Sequence, residues 1–186
     1  MSSTAEKLAT YEDVLTAPEH RVAELVDGQL ITSPRPASPH ARAGSGLGAK
    51  LYTLFDDGDG GPGGWVILFE PELHLGAHVL VPDIAGWRRE RMPEMPDVAY
   101  FELAPDFCCE VLSPSTARLD RVRKMPLYAS HGVAHVWLVD PAMQTLEVYA
   151  LDGETYRLLG THAGEDVVEA PPFDAVPLEL ALLWRR

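Results

Sequence analysis

Hydrophobic positions along the chain change period several times, and each change marks an element. Phe107 to Leu112, FCCEVL, is a nearly unbroken apolar run of strand length, the pattern of a strand covered on both faces. Val133 to Val139 repeats it. Between them, from about Ala117 to His131, Asp120, Lys124 and Tyr128 recur at four-residue spacing. They therefore share one face of a helix that Ser115 or Thr116 can cap. A strand, helix and strand of these lengths form a crossover unit joining two parallel strands.

Upstream, apolar-rich runs on either side of Asp27-Gly28 predict a hairpin over residues 20–33, with Glu24 in its first strand. Thr10 to Ala17 reads as a short helix, with Thr10 as cap and Asp13 three residues on, and Met1 to Ala9 as a loose end. A longer helix is predicted from Ser38 or Pro39 to about Phe55; its Gly44, Gly46 and Gly48 weaken it, so packing must hold it. Strands follow at Trp65 to Phe69, Glu72 to Leu75 and Val79 to Trp87, with a turn at Gly76-Ala77, and Arg88 to Asp97 is a charged connector. Beyond Asp140, a hairpin around Asp152-Gly153 joins Thr145–Ala150 to Thr155–Gly160, Val167 to Glu169 adds a short strand, and Leu178 to Trp184 forms a terminal helix or docked tail. The order predicts one α/β domain over residues 1–186, with its core at about 38–140 and a C-terminal hairpin and tail at 145–186.

Length and composition agree with that. The 186 residues, 46% of them hydrophobic, are enough for one substantial core. No apolar run approaches the ~20 residues of a membrane span, and the N-terminus is polar, so the expectation is a cytoplasmic protein without a membrane partner. Cys108 and Cys109 are adjacent in a strand, point to opposite faces, and are expected to be buried and unbonded. Asp56 to Gly64, DDGDGGPGG, lacks the spacing and final glutamate of an EF-hand loop and reads as a solvated loop.

Candidate chemistry starts from Glu110, a carboxylate inside an apolar strand, which is costly to bury unless paired or metal-bound. Asp83, after Pro82, is predicted on a neighbouring strand of the same sheet. Two acids so placed can share Mg²⁺, which is commonly held by one or two carboxylates and keeps several waters. Such an ion activates water against a phosphodiester. Glu70 and Glu72 are reserve acids, His40 reads as a packing or capping residue, and Tyr128 and Trp137 as core aromatics. An Asp120–Lys124 pair at helical spacing would instead make both structural. The formal net charge of -13 opposes non-specific nucleic-acid binding. Locally, Arg88, Arg89, Arg91, Arg118, Arg121, Arg123 and Lys124 supply a candidate phosphate-facing rim, unless Glu90, Glu94 and Asp120 neutralise them.

The segments VPDIAG, PDFCCEVLSPST, KMPLY and GVAHVWLVDP, with AELVDGQL and SPRPASPHA upstream, resemble the Uma-two family of "putative restriction endonucleases", part of the PD-(D/E)xK nuclease-like superfamily. The resemblance covers roughly Tyr11 to Ala150. It implies a restriction-endonuclease-like αβββαβ core with a mixed sheet, flanked by the extra N-terminal hairpin and C-terminal strands. It also implies a Mg²⁺-dependent endonuclease, with Mn²⁺ as a substitute, acting on nucleic acid, DNA in the first place, as a homodimer. By resemblance Asp83 and Glu110 are the metal-binding acids, the Val111 carbonyl is a further metal ligand, and Glu24 is an acid brought to the same pocket. The superfamily's lysine would fall two residues after Glu110, where Leu112 stands; in the Uma-two pattern the following helix supplies it, at Lys124. The rival expectation is a catalytically silent member of the fold serving as a dimeric scaffold or protein-binding module. A third is a metal-dependent hydrolase of a small phosphorylated substrate, which would need a closed pocket.

Overall fold

The computed structural model describes residues 8–185. Helix α1 (Tyr11–Leu15) begins where the Asp13 carboxylate accepts the Thr10 N–H at 2.7 Å. The expected loose end lies outside the described residues as far as Lys7; Ala9 donates its N–H to the Gly28 carbonyl at 2.8 Å. Strands β1 (Arg21–Val26) and β2 (Gln29–Pro34) form the predicted hairpin, turning at Asp27 and Gly28 with φ of 49° and 71°. This double left-handed conformation is why Asp-Gly occupies the turn. Helix α2 (Ser38–Leu51) runs on through a wider π-helical turn, Tyr52–Asp57, and buries Ala43, Leu47, Leu51 and Phe55.

Next come β3 (Trp65–Phe69), β4 (Leu73–Leu75), β5 (His78–Leu80) and β6 (Ile84–Arg88). The single strand expected over Val79 to Trp87 is corrected here: it is two strands in two different sheets. Pro82 has no N–H for a ladder, and the Val81 N–H is bound instead by Glu24 Oε1 at 2.8 Å. The chain therefore leaves one sheet at Leu80 and enters the other at Ile84, carrying Asp83 at the crossing.

After β7 (Phe107–Val111) the helical stretch comprises α3 (Ala117–Leu119), a π-helical segment Asp120–Lys124, and α4 (Met125–Ser130). It leads to β8 (His135–Asp140), the hairpin β9 (Thr145–Asp152) and β10 (Thr155–Ala163), the short pair β11 (Val167–Val168) and β12 (Leu178–Glu179), and α5 (Ala181–Trp184). The large sheet runs β10-β9-β8-β7-β6-β3, and in it β7–β8 pair in parallel while the other neighbours are antiparallel. The expected αβββαβ core is thus α2, β3, β6, β7, the helical stretch and β8. Strands β4 and β5 are an insertion that joins the N-terminal hairpin in a second sheet, β2-β1-β5-β4.

Successive side chains of β7 point to opposite faces. Cys109 and Val111 pack with Leu47 and Leu51 of α2 and Leu183 of α5. Cys108 packs on the other side with Tyr128, Val136 and Leu138, so Glu110 faces the helical stretch too. Both cysteines are buried and free, as expected. The acidic loop after α2 is not simply solvated: the Asp56 carboxylate accepts the Ile67 N–H at 2.8 Å and pairs with Arg89 at 2.6 Å. No helix among the described residues is long and apolar enough to cross a membrane.

Candidate active site

Four of the residues singled out in the sequence, Glu24, Asp83, Glu110 and Lys124, line one cavity of about 260 Å³. Val111, His40 and Asp120 line it as well, with Ser113 to Thr116 and residues 33–37 forming its mouth. Lys124 is central. Its Nζ lies 2.8 Å from Glu110 Oε1 and 2.9 Å from Glu24 Oε1, while Asp120, one helical turn back, stands at 3.8 Å. The expected Asp120–Lys124 pair is therefore the loosest of the three contacts. Asp120–Lys124 is π-helical and buries both side chains, a distortion common at functional sites.

Two fastenings bring the distant parts together. Beside Lys124, Arg123 donates to the Val26 carbonyl and the Asp27 carboxylate, both at 2.8 Å, and so holds the hairpin tip against the helix. That carries Glu24 into the cavity. At the sheet crossing, Glu24 Oε1 takes the Val81 N–H and Lys124 Nζ donates to the Val81 carbonyl at 3.3 Å. The two charged side chains thus replace the ladder partners that Val81 loses. Asp83, two residues on, accepts the Val111 N–H on Oδ2 at 2.7 Å and has His40 Nε2 3.3 Å from Oδ1.

The electrostatics follow from burial. Glu24, Glu110, Asp120 and Lys124 are all buried, at 2–4% exposure. Burial pushes the Glu110 carboxyl well above the usual carboxylate range; Lys124 opposes this, and Asp120, Asp83 and Glu24 reinforce it. Burial likewise lifts Asp120, against the pull of Lys124, to about 6. For Lys124 burial acts downward, but Glu110, Glu24 and Asp120 outweigh it and hold the ammonium well above its ordinary value. Burial also lowers His40, yet the hydrogen bond and charge of Asp83 and the Val111 backbone leave it raised overall. The pocket therefore gathers four carboxyl groups, Glu24, Asp83, Glu110 and Asp120, with Lys124 and His40.

Several expectations are corrected. Glu72 is not at the site: its Oε1 accepts Tyr11 Oη at 2.8 Å and lies 2.7 Å from His74 Nε2. Glu70, the other reserve acid, does lie beside Asp83: its N–H donates to the Asp83 carbonyl at 3.1 Å, and it lines the cavity with Arg35 at 3.7 Å. Most of the expected basic rim is neutralised, because adjacent elements supply carboxylates: Arg89 pairs with Asp56, Arg91 with Asp106, Arg121 with Glu147 and Arg123 with Asp27, while Arg118 stays exposed. Arg88 lies over the Trp65 ring at 4.6 Å. His40 is neither packing nor cap but an Asp83 partner, and Tyr128 is more than a core aromatic, since its hydroxyl donates to Glu110 Oε1 at 2.5 Å. The signal for Tyr128 was present in its four-residue spacing from Lys124; nothing local pointed His40 at Asp83.

Among the described residues, no three His, Cys, Asp or Glu side chains are placed to hold a metal ion together. The donor chemistry nonetheless suits Mg²⁺, which takes one or two carboxylates and fills its remaining positions with water and substrate phosphate. Asp83 and Glu110 supply two carboxylates to the same cavity, a sparse set of the kind that ion takes.

A family model described as "Putative restriction endonuclease", Uma2, matches residues 8–182. The chain belongs to the Uma2 family. A crystal structure of a "putative nuclease" from Anabaena variabilis is similar at a TM-score of 0.76 and 24% identity, over 94% of this chain and 97% of that one. That likeness establishes the nuclease-like mixed α/β fold. No curated protein matches the chain.

Proposed function

We propose that this Uma2 chain is an endonuclease that hydrolyses phosphodiester bonds of nucleic acid, DNA in the first place, with Mg²⁺ or Mn²⁺ held by Asp83, Glu110 and the Val111 carbonyl. The observation that carries the reading is the convergence of Asp83, Glu110 and Lys124 on one open cavity from separate elements. When bound, the cation supplies a Lewis acid for a phosphate oxygen and a water of lowered pKa.

The chain's own residues divide the remaining work. Asp83 is held in place by the Val111 N–H and by the gripped Val81. Lys124 keeps its proton, so it is no general base; it neutralises the acids and offers positive charge to a phosphate entering the cavity. Glu24, bound to Val81 and Lys124, orients both rather than touching substrate. Cutting both strands of a duplex calls for two such centres, so the working unit in this proposal is a homodimer acting in the cytoplasm.

The test is cleavage of labelled single- and double-stranded DNA and RNA with Mg²⁺, Mn²⁺ or EDTA, beside Asp83→Ala and Lys124→Ala. Cutting should require the metal and fall roughly a hundredfold or more in each folded variant. Absence of cutting and of metal binding in the folded wild-type protein would move the reading to a silent scaffold.

A further inference from the structure

We propose that Tyr128 is a positioning residue for Glu110: its hydroxyl fixes which carboxylate oxygen is presented to the cation. The inference rests on the metal site proposed above and extends it to a residue on the opposite side of Glu110. Tyr128 is fully buried among Cys108, Val136 and Leu138. Packing alone would be served as well by phenylalanine, and a buried phenol must find a partner for its O–H. It finds Glu110 Oε1 at 2.5 Å, and Lys124 Nζ reaches the same oxygen at 2.8 Å.

The consequence is geometric. A carboxylate oxygen has two lone-pair sites, and on Oε1 both are engaged, one by a neutral donor and one by a charged one. The lone pairs left for a cation are those of Oε2. Because Tyr128 and Lys124 stand one turn apart on the same helical stretch, both donors arrive as a unit and specify one orientation of Glu110. Carboxylates that ligate metals are commonly held by such outer partners, whose loss typically costs 10–100-fold in metal affinity.

The experiment is Mn²⁺ titration without nucleic acid, following the free-ion electron paramagnetic resonance signal. The proteins are wild type, Tyr128→Phe and Tyr156→Phe; the last removes a hydroxyl bonded to the Val133 carbonyl at 2.6 Å, away from the carboxylates. Tyr128→Phe should weaken Mn²⁺ about tenfold or more while Tyr156→Phe leaves it unchanged. A Tyr128→Phe protein that is folded and binds within about twofold of wild type would overturn the positioning role and leave the metal site standing. A wild-type protein that binds no Mn²⁺ would overturn the metal site itself, and this inference with it. Should Tyr128→Phe fail to fold, 3-fluorotyrosine placed at position 128 keeps the hydroxyl, and its ¹⁹F resonance should move on Mg²⁺ titration. A resonance that stays fixed while Mg²⁺ binds also overturns the proposal.

Discussion

Lys124 concentrates the residue-scale energetics. An ammonium this buried is tolerated because Glu110 and Glu24 lie within 2.9 Å of it, and removing it strands carboxylates without their partner. Breaking a buried pair in this way typically costs about 3–5 kcal/mol. Urea denaturation of Lys124→Ala near neutral pH should show a loss of that size, and a loss below about 1 kcal/mol would mean that water reaches these acids freely. Asp120 gives the pH dependence. Its carboxyl titrates at about 6 in the folded chain against an ordinary 3.8, so the folded state binds the proton more tightly than the unfolded state. Its contribution to stability is whole below about pH 4 and is lost as pH rises through about 6, up to roughly 3 kcal/mol. Asp120→Asn cannot ionise; its stability should fall less than that of wild type across this window, measured as denaturation midpoints at a series of pH values.

At the scale of elements, close approaches of backbone decide what the sequence tolerates. A Cβ on Gly61 would fall on the Leu54 carbonyl oxygen, with that residue's carbonyl carbon and Cα both at 2.8 Å. Backbone cannot swing aside as a side chain can, so Gly61→Ala should destabilise by about 1–3 kcal/mol, read from thermal or urea midpoints. A neutral outcome would show that the loop repacks. Composition reads this stretch as solvated, but Asp56 fastens it to β3 and the Gly63 N–H donates to the Leu54 carbonyl at 3.0 Å. The hairpin at Asp27-Gly28, the crossover from β7 to β8 and the terminal hairpin at Asp152-Gly153 were legible because period and turn chemistry are local signals. The strand break at Pro82 was not. Apolar residues continue on both sides of it, and only the partners available to Val81 show that the ladder ends there.

For the whole molecule, the proposed cation ties function to stability. An ion that binds the folded chain and not the unfolded one stabilises it, by about 2.7 kcal/mol at a hundred times its dissociation constant. Thermal melting should therefore rise with Mn²⁺ in the wild-type protein and stay flat in Asp83→Ala; an equal rise in both would place the binding elsewhere. The sequence by itself determined the alternation of elements, the α/β class and the pairing of Asp83 with Glu110; the family resemblance added the mixed sheet and brought Lys124 and Glu24 to the same cavity, which all four line. Tertiary structure alone decided their partners. Glu24 meets Val81 across 57 residues and Asp83 meets Val111 across 28, and Arg123 reaches a hairpin tip 96 residues away. Hydrophobic period reports which face of an element is buried, but not what lies opposite that face. Whether a buried lysine stands alone or between two acids, and whether a surface arginine meets a phosphate or a neighbouring carboxylate, is settled only when the sheets and helices pack.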